Sequence, residues 1–461
     1  MKEMHLRENS QTVLLGLIKV IKELFPEDEL KVAYSIQSGI YCRLLNSVLS
    51  VREVKQIEAK ILQWVNSDVA INFIGKNNNY YEYDVDNIKM KLIYPARLRS
   101  SLVEAFHIVP FSDGFIIDFS NIRKEADKPF VYPEKLSKTY ENTQLWLKKV
   151  DVQLVSDINE AISSGRSLEL INIAEARQEK EISDIADLIL NQKRSIRVVL
   201  ISGPSSSGKT SFINRLSTQL RVNGIKPKPL SLDDYFVNRE VTPKDKQGNY
   251  DFENLDALDL RLIHRHVKDL IDGKTIQAPI FDFVTGNRME ETRKMRLEHD
   301  EILVVEGIHA LNPELMPSIY RNIFFRIYIS ALFGPNIDLV NRVPTTEVRL
   351  IRRMIRDQKY RACTPEYTFN QWPSVRRGEH KNVFKFQEEA DVMFNSSLLY
   401  EMNALRTFAD DTLKKVDKEC EFYLTAERLS NLLSFFNPID ISKIPYNSII
   451  REFIGGSIYF D

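Results

Sequence analysis

Residues 203–210 combine residue types and a spacing that suit the binding of phosphate groups. Gly203 and Gly208 are separated by four residues, and Lys209 and Thr210 follow directly. The glycines let the backbone turn tightly, so that its N–H groups point inward at phosphate oxygens. Lys209 would reach the β- and γ-phosphates of a nucleotide, and the Thr210 hydroxyl would hold Mg²⁺. The pattern is that of a Walker A loop, and the alternative is a Gly/Ser-rich turn that binds nothing.

The segments on either side of this loop have the order that a phosphate-binding loop requires. The apolar run at 197–201 predicts a buried parallel strand, and apolar residues at helical spacing predict a helix over 211–221. The N-terminus of that helix would add its partial positive charge to the phosphate site. We therefore expect ATP to be bound by Gly203, Ser205, Ser206, Ser207, Gly208, Lys209, Thr210 and Ser211.

Two further strand candidates end in carboxylates. The run 229–232 leads into Asp233, and the run 302–305 leads into Glu306. Side chains at the carboxyl ends of parallel strands face the ligand crevice of such a sheet. Asp233 could accept a proton from a substrate hydroxyl or help to hold Mg²⁺, although an Asp in this position can also cap a turn. We expect a magnesium site made by Thr210, Asp233 and Glu306, with Asp233 as a catalytic residue.

Residues 251–259 are predicted to open a helix, and in the following segment, 278–288, aromatic, acidic and arginine side chains alternate without helical period. Such a mixture suits a pocket wall that stacks a flat group and hydrogen-bonds hydroxyls. A surface hairpin is the alternative for the second segment.

A helix that begins near Pro344 carries arginines at spacings that place them on one face, and Arg361 follows just beyond it. Arginines arranged in this way can close over ATP phosphates and stabilise charge on the transferring group. A solvated charged face is the usual meaning of such a run. We expect these arginines to form a lid over the ATP phosphates; its members are Arg349, Arg352, Arg353 and Arg356. The catalytic residues would then be Asp233, Lys209, Arg352 and Arg356.

The composition does not favour a nucleic-acid or membrane partner. The 461 residues carry a formal net charge of −1, so no global field attracts nucleic acid or an anionic membrane. The three cysteines lie far apart without metal-ligand spacing, which suggests free thiols in a reducing cytosol. No apolar run approaches the length of a transmembrane helix. We expect a cytoplasmic protein that acts on a small-molecule substrate.

The chain divides into three parts. Residues 1–145 mix helical stripes with strand-like pieces at 30–36, 89–94 and 114–119, which predicts a separate α+β domain. Residues 146–194 are charged and helical, and we interpret them as a connector. Strands and helices alternate over 195–461, which predicts an α/β fold with a parallel sheet and helices on both faces.

Together these motifs resemble the uridine kinase and phosphoribulokinase family of P-loop kinases. The resemblance covers roughly residues 195–400 and rests on segments 203–210, 231–236, 251–259, 279–288 and 306–308 and on the arginine helix. It implies an ATP- and Mg²⁺-dependent kinase with Asp233 as general base, Lys209 on the phosphates, and Thr210 and Glu306 beside the metal. It also implies substrate contacts from Asp233, Tyr235, Glu253, Phe281, Phe283, Arg288 and Arg349.

Two positions depart from the family pattern. Gly286 stands where the family has a histidine that contacts the pyrimidine edge, and Glu253 stands where it has an Asp that holds the ribose hydroxyls. A pocket without a polar group loses discrimination for the ligand that needed it. These residues therefore favour phosphoryl transfer without identifying uridine as the acceptor.

The longer pattern resembles a bacterial branch of uridine kinase-like proteins through segments 311–313, 342–346, 372–379 and 451–457. In that branch, a part similar to the accessory domains of threonyl-tRNA synthetase precedes the kinase, and residues 35–42 resemble this part. Tyr34 stands where the synthetase domain has a histidine, so we expect neither editing nor metal binding there. His309 could enter the active site or be a loop histidine without a chemical role. Segment 372–379 could complete the substrate pocket or mediate a subunit contact.

We predict a kinase that transfers the γ-phosphoryl group of Mg-ATP to a hydroxyl of a nucleoside. One alternative changes the acceptor to a sugar phosphate or a vitamin-like alcohol, and a substrate phosphate would need cations in addition to Arg288. A second alternative is a nucleotide-switched, RNA-associated protein that uses the N-terminal part, but the near-zero net charge argues against it. By analogy with nucleoside kinases of this type, we expect a homo-oligomer.

Overall fold

A computed structural model of the chain describes residues 2–36, 39–120, 133–192, 196–245, 248, 250–282, 285–316 and 322–459. The N-terminal unit contains two antiparallel sheets, ordered β1-β2-β7-β6 and β3-β4-β5. Its elements are α1 (Lys2–Leu24), β1 (Leu30–Ile36), β2 (Gly39–Leu44), α2 (Val51–Asn66), β3 (Asn72–Asn77), β4 (Tyr80–Val85), β5 (Ile88–Leu92), β6 (His107–Phe111) and β7 (Gly114–Asp118). The predicted α+β fold is confirmed, and the three strand-like pieces correspond to β1, β5 and β7.

Helix α1 continues without a break through Gly16, although glycine has a low helix propensity. A Cβ atom at Gly16 would lie 2.5 Å from side-chain atoms of Ile61 and Trp64 on α2. Both residues belong to the buried core of the N-terminal unit. The glycine therefore lets α1 and α2 pack closely, and this contact outweighs the low helix propensity of glycine.

Three helices follow: α3 (Glu134–Lys149), α4 (Val155–Ser163) and α5 (Ser167–Leu190). The predicted boundary at residue 145 lies inside α3. The hydroxyl of Tyr140 on α3 donates to the carbonyl of Ala33 on β1 at 2.6 Å. Ile182 and Ile185 on α5 share a buried cluster with Phe212, which lies in the helix after the phosphate loop. The segment interpreted as a connector is therefore a packed helical layer.

The second unit contains a five-stranded parallel sheet in the order β14-β13-β8-β12-β9. Its central strand is β8, and β9 lies beyond β12. The predicted α/β fold with a parallel sheet is confirmed. The elements of this part are β8 (Val198–Ser202), α6 (Lys209–Val222), β9 (Lys226–Ser231), α7 (Leu260–Ile271), β10 (Thr275–Asp282), β11 (Asn287–Arg296), β12 (Glu301–Glu306), β13 (Phe324–Ser330), α8 (Thr345–Arg361), α9 (Pro365–Asn382) and β14 (Val392–Asn395).

The chain ends in α10 (Glu401–Leu413), α11 (Tyr423–Leu433) and the short α12 (Arg451–Ile454). These helices share one buried core with α8, with Ile158 on α4 and with Tyr94 after β5. The apolar core thus runs continuously from the N-terminal unit into the C-terminal helices. Among the helices in the described ranges, none is long and apolar enough to cross a membrane.

Candidate active site

The loop between β8 and α6 requires glycine at two positions. Gly208 has φ +81°, which favours glycine, and a Cβ atom there would lie 2.6 Å from Cγ2 of Ile449. A Cβ atom at Gly203 would overlap the carbonyl oxygen of Ile329 on β13. Larger residues would therefore push the loop away from the sheet. The strand, loop and helix have the order that the sequence predicts.

Lys209 lies at the first position of α6 and faces two carboxylates. Its Nζ donates to the carbonyl oxygens of Gly203 at 2.9 Å and Pro204 at 3.2 Å. Burial lowers the pKa of Lys209, and the negative charges of Glu306 and Asp233 oppose this effect. The ammonium group therefore lies where the loop and the ends of β9 and β12 meet.

Asp233 and Glu306 come together because β9 and β12 are neighbours, with Ser231 opposite Glu306 in the parallel register. The Ser231 hydroxyl donates to Glu306 Oε1 at 3.1 Å and accepts from the backbone N–H of Asp233 at 3.3 Å. Asp233 is accessible to solvent but has protein around most of its carboxylate, so burial raises its pKa, and Lys209 opposes this. Burial and the nearby charge of Asp233 also raise the pKa of Glu306.

The donor atoms at this corner fit a magnesium ion. Thr210 is exposed at the start of α6, directly after Lys209, and supplies a hydroxyl. The described residues contain no group of three or more His, Cys, Asp or Glu side chains that could hold a metal. Mg²⁺ retains several waters and needs only one or two protein carboxylates. Burial and repulsion by Asp233 raise the pKa of Glu306, and a cation between the two carboxylates would offset both effects.

Two of the predicted lid arginines lie beneath the loop and do not face a cleft. Arg349 is 1% exposed, donates to the carbonyl of Ser205 at 2.9 Å and pairs with Glu379. Arg352 is fully buried, donates to the carbonyl of Ser206 at 3.3 Å and pairs with Glu401 at 2.5 Å. A lid residue must be free to move over the phosphates. This placement does not fit that expectation, because both guanidinium groups are fixed supports of the loop.

Other arginines of α8 face the site. Arg353 Nη1 donates to the hydroxyl of Ser205 at 2.8 Å. Burial raises the pKa of Asp233, and three positive charges oppose this rise. The strongest opposing charge is that of Lys209, followed by those of Arg361 and Arg356. The sequence placed both Arg353 and Arg356 in the predicted lid, but only Arg356 was named as catalytic. Arg353, Arg356 and Arg361 also share one ion-pair partner, the buried Asp357 on the same helix.

A carboxylate from α9 reaches the loop directly. Glu379 Oε1 accepts from the backbone N–H of Ser205 at 2.9 Å, and its Oε2 accepts from Arg376 at 3.1 Å. A Cβ atom at Gly378 would overlap the side chain of Glu253. Segment 372–379 therefore packs against the loop and the pocket wall. The sequence left the role of segment 372–379 open, because its contacts with Ser205 and Glu253 join residues more than 100 positions apart.

Glu452 on α12 makes a similar contact at the start of α6. Its Oε2 accepts from the hydroxyl of Ser211 at 2.9 Å and from its backbone N–H at 3.3 Å. Glu452 and Ser211 are both buried. The predicted ATP-binding residue Ser211 is thus engaged by a C-terminal carboxylate. Segment 451–457 contributed to the resemblance, but no role in the site was predicted for Glu452.

The pocket wall places three predicted substrate residues differently from the expectation. Tyr235 is 1% exposed, and its hydroxyl is hydrogen-bonded to His266 Nδ1 at 3.0 Å, so this side chain belongs to the core. Arg288 donates to the carbonyls of Tyr235 and Phe236, both at 2.9 Å, and to Asp259 at 3.1 Å. It therefore fixes the turn after β9. Phe281 is buried against Phe236, with ring centroids 5.5 Å apart.

Glu253 stays a candidate for the pocket, and Phe283 lies outside the described residues. Burial raises the pKa of Glu253 to about 7, with Arg353 opposing and Glu379 adding to the rise. At Gly286, which has φ +73°, a Cβ atom would overlap the guanidinium of Arg239. Sequence reasoning missed Arg239, which occupies the space that a side chain at position 286 would need.

His309 is buried at 1% exposure, three residues after Glu306. Neither ring nitrogen has a hydrogen-bond partner within the described ranges, and burial lowers the pKa of His309 to about 4. The ring is therefore neutral at physiological pH. Of the two interpretations, burial favours a loop histidine without a chemical role over a side chain that enters the active site.

The family model described as "Phosphoribulokinase / Uridine kinase family" matches residues 198–398. Uridine kinase of Clostridium botulinum (strain Okra / Type B1) is 28% identical over 180 residues, which cover 39% of this chain and 78% of that protein. Uridine kinase of Borrelia turicatae (strain 91E135) is 28% identical over 232 residues, which cover 47% and 98% respectively. A solved structure of a possible uridine kinase from Bacillus stearothermophilus aligns with a TM-score of 0.33 and 23% identity, over 48% of this chain and 100% of its own.

We predict that Glu253→Gln stabilises the protein selectively at alkaline pH. The pKa of Glu253 is raised to about 7 in the folded state, so the unfolded chain loses this proton first as the pH rises. The wild type therefore loses stability between its unfolded pKa and about pH 7, and the variant does not. Urea denaturation should show a gain on the order of 3 kcal/mol at pH 8.5 relative to pH 5.

The exposed Glu141→Gln serves as the control for this measurement and should change stability equally at both pH values. A Glu253→Gln effect that is the same at pH 5 and pH 8.5 would show that the carboxyl is not desolvated.

Proposed function

We propose that this chain transfers the γ-phosphoryl group of Mg-ATP to a hydroxyl of a nucleoside, because residues 198–398 match the model of the phosphoribulokinase/uridine kinase family. The observation that carries the proposal is the meeting of Lys209, Asp233 and Glu306 beside a glycine-bounded loop. Phosphoryl transfer requires this combination of a phosphate cradle, a metal site and a group that orients the attacking hydroxyl.

In the proposed reaction, the loop N–H groups and Lys209 hold the β- and γ-phosphates. Mg²⁺, held by Thr210, Asp233 and Glu306, would neutralise phosphate charge when bound. Asp233 accepts the proton of the acceptor hydroxyl.

The transferring group carries negative charge on its equatorial oxygens, and Arg353 and Arg356 supply positive charge beside it. Arg349 and Arg352 contribute by holding the loop carbonyls in place. The catalytic role that we predicted for Arg352 therefore becomes a positioning role.

We predict that Asp233→Asn retains ATP binding and loses turnover by at least 100-fold, because an amide cannot accept the proton. ATP affinity should be measured by calorimetry, and turnover by ADP release with saturating acceptor. The adjacent Asp234→Asn is a matched control, since Asp234 pairs with Arg293 at 3.5 Å and has no proposed catalytic role. Turnover within threefold of the wild type in Asp233→Asn would contradict the assignment of Asp233 as base.

A second acceptor class, a phosphorylated sugar, is favoured by Arg239. Within the described residues, its guanidinium has no hydrogen-bond or ion-pair partner, and it lies against Gly286 near the turn between β10 and β11. Charge-assisted bonds between arginine and phosphate are strong and directional. Arg239 thus supplies the additional cation that a phosphorylated acceptor would need.

Arg239→Gln separates the two acceptor classes. For a phosphorylated acceptor, we expect kcat/KM to fall by about 10- to 100-fold, which corresponds to one lost charge-assisted hydrogen bond. For a nucleoside, we expect a change of less than threefold, with the KM for ATP unchanged in both cases. Arg261→Gln, at an exposed position of α7, is the control. A large loss with a nucleoside would exclude the phosphate-binding role of Arg239.

A further inference from the structure

A cavity of about 230 Å³ lies between the N-terminal unit and the phosphate loop. Its apolar walls come from both units and include Leu14, Ile40, Ile117 and Leu332, and its far end touches Pro204. This space exceeds the roughly 150 Å³ of an engineered cavity that holds benzene in another protein. The cavity is therefore large enough for a small organic molecule with one ring or a short branched chain.

The charged groups on the described cavity wall are of one sign. Four arginines line it, and no Asp or Glu does. Three of the four have carboxylate partners: Arg7 pairs with Glu347, and Arg349 and Arg376 pair with Glu379.

Arg342 differs from these three. Its guanidinium donates to the hydroxyl of Ser35, and no carboxylate within the described ranges pairs with it. Burial lowers the pKa of Arg342, and Tyr140 and Tyr94 are the strongest opposing groups. An arginine held among apolar groups without a counter-charge is costly unless a ligand supplies one.

Two other features at the same wall favour a negative group. Thr345 and Thr346 begin the 17-residue helix α8 beside Arg342, and the residue before them, Pro344, provides no side-chain cap. The N-terminus of a helix attracts anions through its free N–H groups. Tyr94 is 3% exposed, lines the cavity, and its hydroxyl has no hydrogen-bond partner in the described part of the chain.

We propose that this cavity binds a small apolar carboxylic acid, whose carboxylate pairs with Arg342 and the start of α8 and accepts from the Tyr94 hydroxyl. One unpaired guanidinium matches the single charge of a carboxylate better than the double charge of a phosphate ester. The apolar remainder of the molecule would pack against Leu14 and Ile117. Such a ligand would be held by both units of the chain at once.

The test compares para-bromobenzoate with its neutral counterpart, para-bromobenzyl alcohol, on the full chain. We expect the carboxylate to raise Tm in a saturable way, since a ligand that binds only the folded state stabilises it. The alcohol should have little effect. Arg342→Met should weaken the response to the carboxylate at least tenfold, Arg342→Lys should retain part of it, and the exposed Arg221→Met should respond as the wild type does.

The bromine atom also permits direct localisation, because its anomalous signal in a crystal of the full chain should lie between Leu14 and Ile117. Equal stabilisation by the alcohol, an unchanged response in Arg342→Met, or bromine density elsewhere would overturn the proposal. Stabilisation by inorganic phosphate that equals that of the carboxylate and is likewise weakened by Arg342→Met would overturn the assignment to an apolar acid. If the carboxylate does not stabilise the wild type at all, the proposed site is wrong. If Arg342→Met does not fold, Arg342→Lys takes its place in the comparison with the wild type.

Discussion

The conformation of the phosphate loop depends on two buried arginines that hold it from beneath. Arg349 and Arg352 bond to consecutive loop carbonyls, those of Ser205 and Ser206, and each is paired with a buried glutamate. Removal of one partner from such a pair leaves an uncompensated buried charge, at a cost of roughly 3–5 kcal/mol. The loop is therefore tied to α8, α9 and α10, and the positions of Lys209 and Thr210 follow from these pairs.

The same constraint brings carboxylates to donors that phosphate groups use in loops of this type. Glu379 accepts from the N–H of Ser205, and Glu452 accepts from the N–H of Ser211. Both glutamates lie on helices that come late in the chain and reach back to the loop. The C-terminal helices thus do more than cover the sheet, because they contact the phosphate site and share a core with the N-terminal unit.

Sequence patterns predicted the parts of the site that depend on local order. The approach of Asp233 and Glu306 was predictable because each ends a strand, and parallel strands end at one edge of a sheet. The orientation of Arg349 and Arg352 was not, because their partners lie 30 and 49 residues away, and helical spacing does not show which face is buried. The family resemblance implied a substrate contact for Tyr235, whereas its side chain lies in the core and is hydrogen-bonded to His266. The sequence did not identify Arg239 as a candidate residue, because its position against Gly286 is seen only in the structure.

We propose that Lys209 and Asp233 serve phosphoryl transfer to a small-molecule hydroxyl. The decisive measurement is ADP release from Mg-ATP with a panel of nucleosides, sugars, sugar phosphates and pantothenate-like alcohols, with Lys209→Ala as the blank. We expect that at least one acceptor strongly stimulates ADP release and that Lys209→Ala abolishes the stimulation. Stimulation that persists in Lys209→Ala, or ATP binding without stimulation by any acceptor class, would contradict this proposal.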